Sequence, residues 1–316
     1  MENKFLITLI GPTAVGKTGL AIRLAQQFRT EILSADARQV FKEMNIGTAK
    51  PAESELAAVK HHFINSHSIH DDFNAGAFAL QAEALINGLF KKYDHLILCG
   101  GSGLYVKALL HGFDDMPDVP QLVRQSIIDD YQKNGLEWLQ QSVMEVDPDF
   151  YYPADKLNPQ RLMRALEVFR FSGKPFSSFK GEKKKKLPYH VIKIGLNTDR
   201  AELYARIDKR MDGMIAQGLF EEASSLYQHR HLNALQTVGY QEIFDFMDGK
   251  YDRAESIRLL KRNSRRYAKR QMTWFQNDKE IKWFHPKEYD QIVEFIQSSP
   301  PSPLQSGEAC LPDRQG

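Results

Sequence analysis

Phe5-Leu-Ile-Thr-Leu-Ile10-Gly11-Pro12-Thr13-Ala14-Val15-Gly16-Lys17-Thr18 is the stretch that decides the fold. Its first six residues form a short apolar run with β-branched members that stops at Gly11-Pro12, the pattern of a buried strand. Residues 11–18 match G-x-x-x-x-G-K-[ST]. Residues 18–28 then read as a helix, with Leu20, Ala21, Leu24, Ala25 and Phe28 on one face. Strand, glycine-bearing turn and helix in that order make a phosphate cradle. The glycines let backbone N–H groups turn inward, and the helix N-terminus adds partial positive charge. Gly11, Pro12, Thr13, Ala14, Val15 and Gly16 are the cradle residues. Lys17 brings a mobile full charge, and the Thr18 hydroxyl is the expected ligand of Mg2+. A chance match, or a glycine turn before an ordinary helix, is disfavoured by this context. The motif implies a phosphate or diphosphate ligand; by itself it does not imply ATP.

Short strands alternate with helices further along. Strands are expected at 31–34, 61–65 and 95–99, and a helix at 74–90. The last of these strands runs into Gly100-Gly-Ser-Gly103. Such alternation predicts an α/β fold, a P-loop-containing parallel sheet core flanked by helices. The texture changes after Asp114. Pro117, Pro120, Pro148, Pro153, Pro159 and Pro175 punctuate helical patterns at 122–131, 136–143 and 159–171, with no strand until 191–196. The expected organisation is therefore a core of residues 1–114 and 191–298 interrupted by a helical insertion at 115–190. Thr198 or Asp199 can cap a helix running to Gln217, and 255–276 reads as one long helix. Residues 299–316, rich in Pro, Ser, Gly and Gln, read as a disordered tail. The Lys183–Lys186 run reads as a solvated loop.

The 316 residues are 42% apolar and 26% charged, ordinary for a soluble protein with a sizeable core. A net charge of +2 does not announce a polyanion partner, so local clusters must carry any such claim. Cys99 and Cys310 form neither a metal-like spacing nor a disulfide framework, which fits a reducing compartment. The apolar run at 5–10 is too short for a signal core, and none approaches membrane-spanning length. A cytoplasmic protein with no membrane partner is expected.

Open parallel sheets bind ligands beyond the carboxyl ends of their strands. The second strand delivers Ser34-Ala-Asp36-Ala-Arg38-Gln39 there, and the fourth delivers Gly100-Gly-Ser102-Gly103. A carboxylate, an arginine and a hydroxyl thus gather beside the cradle. Asp36 could merely cap a following turn, but its place after a core strand favours a functional role. Triphosphatases need an acidic residue at the end of a further strand. Here that strand ends in Cys-Gly-Gly, so cleavage of a γ-phosphate is poorly supported. Arg210 lies at the edge of an apolar arc formed by Leu203, Ile207, Met211, Met214 and Ile215. It is equally a surface arginine or a partner for a diphosphate. Arg258, Arg262, Arg265, Arg266 and Lys269 form a stripe on the long helix, open between RNA and internal ion pairs. Tyr267, Trp274 and Phe275 beside it are expected in the core. His61 and His62 point to opposite sides of a strand, and no zinc is expected there.

The segments Gly11–Thr18, Ser34–Gln39, Asn45-Ile-Gly-Thr-Ala-Lys-Pro51, Gly100-Gly-Ser-Gly-Leu-Tyr105, Asn158-Pro-Gln-Arg-Leu-Met-Arg-Ala-Leu-Glu167, Gly239-Tyr-Gln-Glu242 and Tyr267-Ala-Lys-Arg-Gln-Met-Thr-Trp-Phe275 together resemble the tRNA dimethylallyltransferases, or tRNA isopentenyltransferases. They run in family order across nearly the whole chain. The resemblance implies that the cradle holds the diphosphate of dimethylallyl diphosphate with Mg2+. The acceptor it implies is N6 of the adenosine at position 37, next to the anticodon, in a tRNA anticodon stem-loop. Asp36 falls at the position of the general base, and Arg210 matches an arginine in the equivalent helix. The family's tRNA contacts map onto Asp36, Ala37, Arg38 and Gln39, and onto Gln160, Arg161, Leu162, Met163 and Arg164. Ser102 stands for the usual threonine at the channel entrance, and Arg124 is a further contact. Ala37, Phe41 and Asn45 depart from the usual serine, tyrosine and aspartate. A monomer is expected. The competing readings are a P-loop nucleoside or nucleotide kinase, which would bind ATP, and a non-catalytic RNA-binding module.

Overall fold

The structure, a computed structural model, describes residues 3–112, 116–179 and 185–299. The tail expected at 299–316, apart from Ser299, lies outside the described residues, as do Lys183 and Lys184 of the lysine run. The strands are β1 (Phe5–Ile10), β2 (Ile32–Ser34), β3 (His61–His62), β4 (His95–Gly100), β5 (His190–Leu196) and β6 (Lys282–Phe284). The first helices are α1 (Lys17–Gln27), α2 (Glu53–Ala58), α3 (Ala75–Leu89) and α4 (Gly103–His111). Then come α5 (Gln121–Val146), α6 (Pro148–Tyr151) and α7 (Pro159–Ser172). The last are α8 (Arg200–Ala216), α9 (Leu219–Leu226), α10 (Gln241–Met247), α11 (Arg253–Gln276) and α12 (Tyr289–Ser298). The described residues form two compact units, one of residues up to 110 with those from 186 on, the other of residues between 111 and 185.

The first unit is built on a six-stranded, all-parallel sheet of order β3-β2-β4-β1-β5-β6. β1 lies inside it, and Leu6, Ile7, Leu9 and Ile10 are buried. That explains its unbroken apolar run, since a strand covered on both faces needs no alternation. The register pairs Ile10 with Gly100 and Ser34 with Cys99. The chain therefore leaves β1, β2 and β4 at nearly one level, and three loops emerge side by side. Local chemistry fixes the helix starts. Asn74 Oδ1 accepts the N–H groups of Gly76 and Ala77, and Asp199 Oδ1 those of Ala201 and Glu202.

β3 is shorter than the expected 61–65, because Phe63 and Asn65 take left-handed φ of 61° and 53°. Its two histidines do diverge. His61 faces a cavity on one side, while His62 Nε2 meets Glu31 at 2.5 Å. β6 had no signal in the sequence: three residues after a long helix are too few to show a period.

The second unit packs Ile127, Leu139, Val143, Phe150, Leu162 and Leu166 together. The two helical patterns at 122–131 and 136–143 join in α5, which breaks at Gly135 (φ 79°, ψ −172°). α7 starts with Asn158 accepting the Arg161 N–H and Pro159 in the first turn, and ends at Gly173 with φ 70°.

Gly11 turns at φ 149°, and a methyl group there would sit 2.6 Å from the Leu196 carbonyl oxygen of β5. Gly11→Ala is expected to lose roughly 1–3 kcal/mol of stability. Gly19 in α1 has nothing within 4 Å of such a methyl. Gly19→Ala is therefore expected to leave the melting temperature unchanged or raise it slightly. Thermal denaturation of the two variants side by side checks this.

Candidate active site

The loops after β1 and β2, the end of β4, α1 and residues from 48–51 and 61–64 line a cavity of about 240 Å³. Thr13, Gly16, Lys17 and Thr18 line one part of it, Asp36 and Gln39 another, with Cys99 and Arg210 also in the wall. Left-handed φ at Ala14 (64°) and Gly16 (106°) curls the loop before α1. Val15 is fully buried, so its side chain packs into the core and does not face the cavity.

Lys17 Nζ donates to the carbonyls of Gly11 at 3.0 Å and Pro12 at 2.7 Å, which holds the ammonium over the loop. Burial lowers its pKa to about 8, opposed by the negative charge of Asp36. The Cys99 thiol is pushed up to about 11 by burial. A thiol in that state is a neutral wall, not a nucleophile.

Arg210 comes from α8, where Leu203, Ile207, Met211 and Met214 are buried. Its Nη2 donates to Thr13 Oγ1. Burial lowers its pKa, and the Asp36 charge opposes that. Arg210 is half-buried and lines the cavity wall.

Asp36 Oδ1 accepts the N–H groups of Arg38 at 2.9 Å and Gln39 at 3.2 Å. That is the turn-capping role, and it occupies one oxygen only. Among the described residues Oδ2 makes no hydrogen bond. One oxygen of this cavity-lining residue thus shapes its turn, and the other is left without a hydrogen bond among the described residues. Ser102 Oγ accepts the Ala37 N–H at 2.8 Å and faces the Tyr267 hydroxyl. Burial and the Asp36 charge push that phenol up to about 12. Arg38 packs near Tyr105, Tyr267 and Asp36. Gln39 donates through Nε2 to the carbonyls of Thr48 and Ala49. Its amide N–H groups are thereby committed to the cavity wall and not presented to a ligand.

The remaining expected contacts lie in the second unit. Arg124 and Arg164 both approach the buried Glu167, at 3.6 and 3.3 Å, with 65% and 41% of their side chains exposed. One hidden carboxylate thus presents two guanidinium groups at the surface. Gln160 and Arg161 are exposed and Met163 is half-buried. Leu162 is a correction: it is fully buried in the core of this unit, so its side chain packs and is not available to RNA.

α11 also departs from expectation. Phe275 is core, but Tyr267 and Trp274 are 36% and 45% exposed. The Trp274 ring fills the space that a side chain on residue 103 would need. Several helix cations are held in ion pairs, Arg258 with Glu255, Lys261 with Asp212 and Arg265 with Asp208, each at 2.6 Å. Arg266, Lys269 and Arg270 remain exposed, the last over the Tyr267 ring at 5.8 Å.

Sequence reasoning missed two residues that hold the site. Gln271 bridges the loops after β1 and β4. Glu222 accepts the N–H groups of Asn45, Ile46 and Gly47 and the Tyr240 hydroxyl. Neither lies at the spacing of any motif. The only signal for Gln271 was its presence in the matched segment at 267–275.

The family model described as IPP transferase matches residues 39–278. The tRNA dimethylallyltransferase of Cytophaga hutchinsonii is 53% identical over 296 residues, covering 94% of this chain and 97% of that protein. A crystal structure of the full-length tRNA isopentenylpyrophosphate transferase of Bacillus halodurans superposes with a TM-score of 0.69 at 35% identity, covering 93% of this chain and 96% of the other. A eukaryotic dimethylallyltransferase acting on tRNA superposes at 0.74, covering 95% of this chain and 81% of the other; at 23% identity it speaks for the fold alone. With its phosphate loop, its strand-end carboxylate and these relatives, the chain belongs to the IPP transferase family.

Proposed function

We propose that the chain transfers the dimethylallyl group of dimethylallyl diphosphate to the exocyclic N6 of the adenosine at position 37, next to the anticodon, in tRNAs, releasing diphosphate. The observation that carries this reading is one cavity walled by both the phosphate loop and a carboxylate with a free oxygen. In the reaction the bond from C1 of the donor to its diphosphate oxygen breaks, and a bond from N6 to C1 forms. The proton leaves N6 for Asp36 Oδ2. An adenine amine is a poor nucleophile because its lone pair is delocalised into the ring. A carboxylate that orients the N–H and takes the proton contributes roughly 10²–10⁴-fold. Lys17 and Arg210, which line the same cavity, and the loop N–H groups are the groups proposed to stabilise the negative charge that grows on the leaving diphosphate.

The oxygen donors here suit a hard cation. Thr18 lines the same cavity as Lys17, and its hydroxyl would hold Mg2+ together with the diphosphate. Among the described residues no group of three or more His, Cys, Asp or Glu could hold a metal, and this arrangement needs none. When bound, the ion neutralises charge on the diphosphate.

The target base must leave the anticodon-loop stack, at a cost of roughly a few kcal/mol recovered by contacts in the pocket. Arg38, Ala37 and Ser102 at the strand ends are the groups proposed to meet it. Gln160, Arg161, Arg164 and Arg124 are the proposed contacts to the stem-loop backbone. A kinase would share the loop, but β4 ends in Cys99-Gly100 with no acid for metal and water.

Incubation with unmodified tRNA and dimethylallyl diphosphate, followed by nucleoside mass spectrometry, tests the reading. N6-dimethylallyladenosine at position 37 is expected. No product, together with a larger thermal shift from ATP than from dimethylallyl diphosphate, would support the kinase.

A further inference from the structure

One buried side chain of α11 touches both loops that carry the cradle and the channel hydroxyl. The Gln271 side chain, 7% exposed, accepts the Thr13 N–H on Oε1 at 2.8 Å and donates from Nε2 to the Gly101 carbonyl at 2.8 Å. These bonds fix its orientation. Exchanging N and O would set donor against donor and acceptor against acceptor. The same amide accounts for Gly101, where a methyl group would lie 2.3 Å from Nε2.

The contacts continue on each side. Beyond Gly101, Ser102 accepts the Ala37 N–H and donates its own N–H to the Ala35 carbonyl, so the loop after β4 carries the Asp36 segment. On the other side Thr13 receives the Arg210 guanidinium. A continuous chain of bonds therefore runs from the Asp36 turn through Gln271 to the cradle and Arg210. Displacement at C1 needs the amine and the departing diphosphate on opposite ends of one line, and a misplacement of about 1 Å can cost on the order of 10²-fold.

We infer that Gln271 is a positioning residue for the transfer, its amide setting the separation between the Asp36 turn and the phosphate cradle. This rests on the functional reading above and acts entirely through the two loops.

Two variants test it. Gln271→Met keeps the volume and removes both bonds. Its kcat is expected to fall about 30- to 100-fold at every pH. Both KM values should stay within about threefold, the pattern of an interaction expressed in the transition state. Gln271→Glu is isosteric. As a carboxylate it keeps the Thr13 bond but turns a second acceptor on the Gly101 carbonyl. When protonated it regains the donor. Burial raises a carboxyl pKa, so the restored form prevails at the acid end. The kcat of Gln271→Glu relative to wild type is expected to be highest near pH 5.5 and to fall severalfold as pH rises to about 8.5.

A flat ratio for Gln271→Glu, or wild-type kcat in Gln271→Met, overturns the inference. So does a loss in both variants that only follows the folded fraction measured by circular dichroism. If Gln271→Met does not fold, the pH course of Gln271→Glu decides alone. Failure of the functional reading shows separately, as absence of product from the wild-type protein.

Discussion

Asp36→Asn is expected to bind tRNA as the wild type does and to turn over roughly 10²–10⁴-fold more slowly. The choice of asparagine follows from the two jobs of this side chain. Oδ1 caps the turn by accepting the Arg38 and Gln39 N–H groups, and an amide oxygen can do the same. Oδ2 is the oxygen that must take a proton, and an amide nitrogen cannot. Asp36→Ala removes both functions and is expected to retain tRNA binding with at least as large a loss of turnover. Single-turnover rates at saturating donor, with tRNA affinity measured separately, make the distinction. A wild-type rate in Asp36→Asn would remove the carboxylate from its role.

Lys17→Met is expected to lower kcat by roughly 10²–10³, the usual effect of deleting one preorganised group at a site of developing negative charge. Loss of the ammonium also predicts a pH dependence in the wild type. Burial holds the Lys17 pKa at about 8 before the donor binds. The lysine is charged below that pH and neutral above it, so kcat/KM for the donor should fall above about pH 8, approaching tenfold per unit. A bound diphosphate favours the charged form, so the limb in kcat should lie at higher pH. Parallel profiles with no alkaline limb in kcat/KM would contradict this placement of the lysine.

Much of this arrangement was legible in the sequence for identifiable reasons. β1 and the phosphate loop combine a buried apolar run with glycines whose backbone only a few turns can use. Asp36 and Ser102 follow core strands, and a parallel sheet brings strand ends together. Of the two cap residues offered for the helix ending at Gln217, Thr198 and Asp199, it is Asp199 that accepts the first N–H groups. What stayed hidden depends on tertiary contact. Tyr267 and Trp274 looked like core because aromatics on an amphipathic helix usually are; instead they border Ser102 and Gly103 with part of each ring exposed. Leu162 stood in a segment matched as RNA-binding, yet its place on α7 turns it into the core of its unit. Gln271 and Glu222 bind backbone groups far away in sequence, and no spacing reveals that. The charged stripe of α11 could not be apportioned either, because Asp208 and Asp212 reach it from a separate helix.

A structure of the complex with an anticodon stem-loop and a donor analogue carrying a non-cleavable thio-linked diphosphate tests the central geometry most directly. N6 of adenosine 37 should lie about 2.6–3.2 Å from Asp36 Oδ2. The diphosphate should sit on the residue 11–18 loop, with C1 between the two. A diphosphate bound elsewhere, or an Asp36 carboxylate turned away from N6, would contradict it.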